Sequence, residues 1–189
     1  LLVTDPSNMN WLTGYDGWSF YVPQCVVLFL DEDPLWFGRL MDRQGARLTA
    51  YMEDDRLIGY PDDYVMTPDR HPMIYLAALL TDRARGGSRI GVEMDNYYYS
   101  ATAHEMLIRH LPNASFRDAT GLVNWRRAVK SRQELGYMRQ AARFVEKMHA
   151  KALEIIAPGV RKNDVAAALF KTGLQGTAAH GGDYPAIVP

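Results

Sequence analysis

The sequence predicts an α/β sheet domain followed by the start of a second domain that opens with a long helix. Short apolar runs alternate with helical stretches up to about residue 127. A single apolar stripe of about six helical turns then begins near residue 132. With 189 residues, 48% of them hydrophobic, the chain is long enough for one large domain or for one domain and a piece of another.

Six runs before residue 127 have the composition of strands, and several are apolar enough for a sheet covered on both faces. In chain order they are LLVTD, CVVLFL, PLWFG, RLIGY, RIGVEM and ASFRDA, starting at residues 1, 25, 34, 56, 89 and 114. Between them, 72–84 and 98–111 are predicted helices. The first should end at Gly86 and Gly87 and the second at Pro112, because glycine and proline stop helices.

The second part of the chain begins with Ser131-Arg132-Gln133-Glu134, a capping box that predicts the first turn of a helix. That helix should end at Pro158-Gly159. Asn163 is predicted to cap a second helix over 164–174, and DYPAIVP (183–189) has the pattern of an edge strand. Because two helices and one strand cannot close a core, we place a domain boundary near residue 127 and interpret 128–189 as the truncated start of another domain.

Composition and motifs exclude several classes of function. The 21 basic residues nearly cancel the 22 acidic ones and form no basic cluster, so neither nucleic acid nor a membrane surface is an expected partner. No apolar run approaches the roughly 20 residues that span a bilayer, and no leader opens the chain, which favours a cytoplasmic protein. Cys25 lies in a strand-like run and should be a small buried hydrophobe.

Motifs for common cofactors and nucleophiles do not occur. The chain contains neither G-x-G-x-x-G after a strand, nor G-x-x-x-x-G-K, nor G-x-S-x-G. The five histidines lack the spacing of metal ligands. Dinucleotide binding, phosphate-loop chemistry, a serine elbow and a histidine-based zinc site are therefore not predicted.

The densest chemistry of the first domain is WLTGYDGWSFYV (11–22), an aromatic loop that we expect to be tightly folded around its glycines. Its aromatic side chains can be core plugs, or they can offer π faces to an organic cation. Arg39 follows the strand PLWFG and is either a surface charge or a bidentate partner for a carboxylate. Aromatic rings and one arginine together would suit a small zwitterion.

Two long segments resemble the creatinase and prolidase family, the pita-bread hydrolases. NWRRAVKSRQELGYMRQAARFVEKMHAKALEIIAPGVRKNDVAAAL (124–169) resembles the family's entry into its catalytic domain. RIGVEMDNYYYSATAHEMLIRHLPNASFRDAT (89–120) resembles the last helix and strands of the creatinase-type N-terminal domain. The resemblance implies a mixed sheet flanked by helices for 1–127, an incomplete pita-bread α+β domain for 128–189, and a homodimer.

Within that family, TDPSNMNWLTGYDGWSFYVPQCV, GVEMDNYYYSA and GGDYPAIVP most resemble the members that open the cyclic amidine of ectoine, a compact zwitterion. Two alternatives stay open: a Xaa-Pro dipeptidase or aminopeptidase acting on short peptides, and a catalytically dead pita-bread binding module. The resemblance places the family's metal ligands and catalytic residues after Pro189. We therefore expect no cofactor in this segment and no activity from it; the whole protein would hold two divalent cations of the Mn, Co or Zn type if peptidase-like and none if creatinase-like.

The resemblance also assigns candidate site residues, because the N-terminal domain of one creatinase-like subunit helps to wall the active site of the other. Trp18, Tyr21 and Arg39 are the candidates for substrate contacts made in trans, with Tyr15 and Asp16 as supports. At the other end of the chain, Asp183 and Tyr184 match the edge of the substrate cleft. His180 precedes the family's catalytic histidine and is not assigned that role.

Overall fold

A computed structural model describes residues 1–17, 19, 21–67 and 69–182. The chain divides into two compact units, Leu1–Ala128 and Val129–Pro189. The predicted edge strand over 183–189 lies outside the described residues, as do the candidate site residues Trp18, Asp183 and Tyr184.

The described part of the first unit is built on a six-stranded sheet. Its strands are β1 (Leu2–Val3), β2 (Cys25–Val27), β3 (Leu35–Arg39), β4 (Leu57–Tyr60), β5 (Arg89–Val92) and β6 (Ser115–Asp118), in the spatial order β4-β3-β2-β1-β5-β6. Each predicted run coincides with one of these strands, and β3 extends one residue beyond its run. The side chains of β1 to β5 are largely buried or partly buried, which made their runs recognisable, whereas those of β6 are mostly exposed.

The sheet is mixed, as the family resemblance implied. β2 pairs antiparallel with β1 and with β3. The pairs β1–β5, β3–β4 and β5–β6 are parallel. One edge of the sheet therefore collects the carboxyl ends of β1, β3, β4, β5 and β6 together with the amino end of β2, and the segments that follow or precede those ends meet there.

In the described part of the first unit, five helices cover the two faces of this sheet. They are α1 (Pro6–Thr13), α2 (Arg43–Thr49), α3 (Pro72–Asp82), α4 (Ala101–His110) and α5 (Leu122–Ala128). Phe37 and its neighbours pack with α3 and α4, whereas Trp36, one residue earlier and on the opposite face, packs with α1, α2 and α5. Cys25 is fully buried, which confirms its predicted packing role.

The structure corrects two local predictions in this unit. Helix α3 ends at Asp82, and the residue that takes positive φ beyond it is Ala84, at 58°, rather than Gly86 or Gly87. The aromatic segment 11–22 does not begin as a loop, because residues 11–13 complete α1. That helix ends at Gly14, whose φ of 78° is the left-handed conformation typical of a glycine cap.

The second unit contains α6 (Arg132–Ile155) and α7 (Lys162–Gln175). The predicted capping box is present, with Ser131 and Glu134 each bonded to the other's backbone N–H. The predicted cap Asn163 is wrong: α7 starts at Lys162, two residues before the predicted start, its N-cap is Arg161, and no side chain caps it. Neither helix contains a buried residue. Among the described residues, no helix has the length and apolar character needed to cross a membrane.

Candidate functional site

Arg39 and Asp62 meet because β3 and β4 are parallel and end together. Arg39 is the last residue of β3 and pairs in register with Tyr60, the last residue of β4. Asp62 follows two residues later, at the start of a 3-10 turn. The Nε–H of Arg39 donates to Oδ1 of Asp62 over 2.8 Å.

Tyr21 reaches the same edge from β2. Because β2 runs opposite to β3, the residues just before Cys25 lie beside the end of β3. The Tyr60 hydroxyl donates to the Pro23 carbonyl over 2.9 Å and fixes that approach. Tyr21 is half exposed and shares a hydrogen bond with Arg39. We call Tyr21, Arg39 and Asp62 the Arg39 cluster.

The charges of the Arg39 cluster are set by the ion pair. Asp62, and to a smaller extent Tyr21, raises the pKa of the Arg39 guanidinium, and Arg39 in turn lowers the pKa of the Asp62 carboxyl. Both groups are therefore ionised at neutral pH. A guanidinium carries five N–H donors, more than its contacts with Asp62 and Tyr21 require, and 20% of the Arg39 side chain is exposed. The arrangement can offer N–H donors to an incoming carboxylate.

Tyr15 packs beneath the aromatic loop, against the sheet residue Trp36. Its side chain is buried, its ring centroid lies 5.1 Å from that of Trp36, and its hydroxyl donates to Oε1 of Gln24 over 3.1 Å. Burial raises the pKa of Tyr15, so the hydroxyl keeps its proton. A Cβ at Gly17 would overlap that hydroxyl, which explains the glycine. The tight packing agrees with the folded loop expected from the glycines.

Asp16 lies on the outside of the loop. Its side chain is exposed, and its backbone N–H donates to Oγ1 of Thr49 over 3.2 Å, which ties the loop to the end of α2. Of the candidate residues that the structure describes, Tyr21 and Arg39 are in contact, while Tyr15 and Asp16 belong to the adjoining loop. Asp62 was not predicted. Its sequence signal is its position two residues after a strand, which becomes informative once the parallel neighbour of that strand is known.

A second polar cluster lies at the same edge of the sheet, where β1 and β5 end. The buried carboxylate of Glu93 accepts hydrogen bonds from the backbone N–H groups of Thr4 and Asp5 at 2.7 and 3.0 Å. It also accepts from Nδ2 of Asn8 at 2.6 Å and from Nδ2 of Asn96 at 3.3 Å. Four donors thus surround one carboxylate.

Asn8 connects Glu93 to α5. Its Nδ2 also donates to Oδ1 of Asn124 at 2.9 Å, and its Oδ1 accepts from Arg127 at 2.5 Å. We call Asn8, Glu93, Asn96, Asn124 and Arg127 the Glu93 cluster. An open cavity of about 310 Å³ adjoins it. Because the carboxylate of Glu93 already accepts four hydrogen bonds, we interpret this cluster as a structural tie between β1, β5, α1 and α5.

No metal centre emerges from the part of the chain that the structure describes, since no three His, Cys, Asp or Glu side chains in it are grouped to hold an ion. Two histidines have structural partners instead. Nδ1 of His71 accepts the Met73 N–H at 3.1 Å and caps α3, and Nδ1 of His104 lies 2.9 Å from the Tyr99 hydroxyl.

Comparison with known families decides what this fold is. Residues 1–129, more than half of the chain, match the family model of the Creatinase/Prolidase N-terminal domain. The chain belongs to the creatinase/prolidase family. The family assignment made from the sequence segments is therefore confirmed, and so is the α/β sheet expected for the first domain.

Curated relatives in the family are similar along the whole chain. The ectoine hydrolase of Halomonas elongata is 52% identical over 195 residues, which cover 100% of this chain and 49% of that protein. An uncharacterized hydrolase/peptidase of Sinorhizobium fredii is 48% identical over 190 residues, covering 100% of this chain and 48% of the relative. The chain thus spans about half the length of the curated relatives it matches.

Solved structures of the family share the fold at low sequence identity. A Xaa-Pro dipeptidase from Bacillus anthracis superposes with a TM-score of 0.66 at 16% identity, over 90% of this chain and 42% of that one. An X-Pro aminopeptidase from Thermotoga maritima gives a TM-score of 0.68 at 17% identity, over 93% of this chain and 47% of that one. Identities this low establish the fold alone.

Proposed function

We propose that the protein to which this chain belongs hydrolyses the cyclic amidine of ectoine. The observation that supports this most is the 52% identity with an ectoine hydrolase along the entire chain. In the proposed reaction water adds to the amidine carbon, one C–N bond breaks, and an amide and a free amine result. The proposal includes a cytoplasmic homodimer in which residues 1–127 form the N-terminal domain and 128–189 begin the catalytic domain.

The Arg39 cluster fits the carboxylate half of such a substrate. An arginine with N–H donors to spare binds a carboxylate through charge-assisted hydrogen bonds. The half-exposed ring of Tyr21 lies beside it and can offer an aromatic face to the amidinium. Trp18, between Gly17 and Tyr21 in the sequence, is proposed as a second aromatic contact. Tyr15 and Asp16 hold the loop, and the whole set is proposed to act in trans on the partner subunit's active site.

Catalytic groups are proposed to lie outside this chain, with Asp183 and Tyr184 at the edge of the cleft. An activated water would attack the amidine carbon, and fixed donors would stabilise the charge that develops. Whether two divalent cations take part distinguishes a peptidase-like protein from a creatinase-like one. A Xaa-Pro peptidase acting on short peptides is the second candidate, favoured by the 48% identity with a hydrolase/peptidase.

The deciding experiment is an assay of the full-length protein on ectoine and on a Xaa-Pro dipeptide, with and without a chelator. Turnover of ectoine that survives chelation supports the amidine hydrolase without metal. Peptide cleavage that the chelator abolishes supports the peptidase. Absence of turnover on both substrates contradicts both candidates and favours the inactive binding module.

Arg39→Ala should raise KM by about 10- to 100-fold, because the charge-assisted hydrogen bonds to the substrate carboxylate are lost. Arg47→Ala is the matched control, since Arg47 is also a surface arginine paired with an aspartate, Asp54. Steady-state kinetics on the substrate that the wild type turns over measure both variants. Equal KM values for Arg39→Ala, Arg47→Ala and the wild type would remove Arg39 from the site.

A further inference from the structure

We infer that Asp62 is a positioning residue for Arg39: it holds the guanidinium in the orientation that meets the substrate carboxylate. The inference rests on the proposed function for the role of Arg39, but the contact itself is independent of it. No catalytic or binding role for Asp62 follows from the sequence, in which it is one of two adjacent aspartates after a strand.

The geometry of the ion pair is that of an orienting contact. Asp62 accepts a hydrogen bond from the Nε–H of Arg39, which is the guanidinium donor nearest the aliphatic part of the side chain. The guanidinium is planar, so fixing Nε–H fixes the plane in which the terminal N–H groups lie. Because both residues sit at the ends of paired parallel strands, the backbone determines the distance between them.

A neighbouring arginine shows what a structural guanidinium looks like in this fold. Arg43 donates from Nε to the Leu57 carbonyl at 2.7 Å and from Nη2 to both the carbonyl and the carboxylate of Asp54. Its donors tie α2 to the first residue of β4 and to the turn before that strand. The side-chain contacts described for Arg39 are instead those with Asp62 and Tyr21, so its remaining donors are suited to a ligand rather than to the fold.

Because Asp62 is exposed, its effect on the orientation of Arg39 can be measured separately from any effect on the stability of the fold. Its side chain is 59% exposed, and an ion pair this accessible contributes little to the free energy of unfolding. Substitution of Asp62 should therefore leave stability nearly unchanged. An effect on KM alone would then have to come from the orientation of Arg39.

The test compares Asp62→Ala with Asp63→Ala in the full-length protein. Asp63 is the adjacent aspartate and pairs with Arg70, so it matches Asp62 in exposure and chemistry. We expect Asp62→Ala to raise KM roughly tenfold with kcat within about twofold, since misplacing a binding group weakens the productive complex. Asp62→Asn keeps Oδ1 as an acceptor and should restore part of the affinity. Asp63→Ala should match the wild type.

A double variant and a substrate analogue test whether Asp62 acts through Arg39 on the substrate carboxylate. On the Arg39→Ala background, Asp62→Ala should have no further effect, because the group it orients is gone. The wild type should prefer ectoine to its analogue without the carboxylate, and Asp62→Ala should lose most of that preference. If the full-length protein cleaves a Xaa-Pro dipeptide instead, the dipeptide and its C-terminal amide replace the two compounds.

A crystal structure of the full-length Asp62→Ala variant separates this inference from the proposed function. If the wild type turns over neither substrate, the proposed function fails. The orientation of Arg39 in the crystal structure still tests whether Asp62 positions it. A guanidinium displaced from its wild-type plane supports the inference. A guanidinium that keeps its plane, a KM equal to that of the wild type, or a further KM increase on the Arg39→Ala background overturns it.

Discussion

The Arg39 cluster and the Glu93 cluster lie at the same edge of one sheet but differ in how their hydrogen bonds are used. Glu93 is buried, and four donors surround its carboxylate. Arg39 and Asp62 are partly exposed, and the guanidinium has more donors than its described contacts require. A buried group whose bonds are complete holds elements together, whereas an exposed group with donors to spare can bind. Position at the edge of the sheet alone therefore does not distinguish a structural cluster from a candidate binding cluster.

The largest expected effect is on the Glu93 side. Glu93→Ala should lower the free energy of unfolding by about 3 kcal/mol or more, because it leaves the buried donors of Thr4 and Asn8 and the partly buried donor of Asp5 without an acceptor. Denaturant unfolding of the full-length protein measures this.

Asp95→Ala, an exposed acid on the same loop, is the control and should change stability by less than about 0.5 kcal/mol. Asp62→Ala should behave like this control in the unfolding experiment. A loss of stability for Asp62→Ala as large as that for Glu93→Ala would abolish the distinction between the clusters.

An intermediate effect is expected at Gly14, which follows α1 and leads from the Glu93 side to the aromatic loop. Its φ is 78°, and a Cβ there would overlap the ring of Tyr51. Gly14→Ala should therefore cost about 1–3 kcal/mol in the free energy of unfolding. Gly45, inside α2, is the control, because a Cβ at that position would meet no other atom within 4 Å. Gly45→Ala should stabilise the protein by about 0.5–1 kcal/mol. Thermal unfolding of the Gly14→Ala and Gly45→Ala variants tests whether the positive φ at position 14 requires glycine.

The smallest effect concerns pH and His71, which caps the helix that follows the Asp62 segment. Burial lowers the pKa of His71, so the folded state binds its proton less readily than the unfolded state. Stability from this cap is complete above the ordinary pKa of about 6.5 and is lost as the pH falls from there toward the lowered value. We expect a loss of about 1 kcal/mol between pH 7 and 5.

His71→Asn keeps a capping acceptor without titrating, so it should remove that pH dependence. Because Arg39 lowers the pKa of Asp62, that carboxylate stays ionised throughout this pH range and contributes nothing to the change. A pH dependence that persists in His71→Asn would contradict the assignment to His71.

Most of the sheet was predictable because burial leaves an apolar pattern in β1 to β5, although the side chains of β6 are mostly exposed. Each predicted run coincides with a strand of the sheet, and Trp36 and Phe37 are fully buried on opposite faces. Helices α1, α2 and α5 were missed because each has only seven or eight residues, too few for an apolar period to stand out. Asp5 and Pro6, an N-cap followed by proline, were the available signal for α1.

The two predicted caps show why a single residue type is weak evidence. Ser131 is followed three positions later by Glu134, and the reciprocal pair forms. Asn163 is followed three positions later by Ala166, whose methyl group cannot return the bond, and Asn163 lies inside the helix. The reciprocal partner, rather than the cap residue, made the first prediction secure.

The candidate site was predictable only in part. Tyr21 and Arg39 were selected as candidates from local composition and the family resemblance, and the structure brings their side chains into contact. Asp62 and Glu93 were not found, because their roles depend on which strands are parallel neighbours. Strand pairing brings together residues that are far apart in sequence: 23 positions for Arg39 and Asp62, and 85 to 89 positions for the contacts of Glu93. Local sequence patterns do not report such contacts.

The Glu93 contacts also bear on the order in which the chain folds during synthesis. The β2–β3 pair and the end of β4 join residues close in sequence, so the strands that carry Arg39 and Tyr60 can assemble early. The contact from Glu93 to the Thr4 backbone closes a separation of 89 residues. On a ribosome, the first strand must wait several seconds for the last of its partners to emerge. The Arg39 cluster, which is proposed to bind the substrate, would then be assembled before the Glu93 cluster, which ties the sheet together.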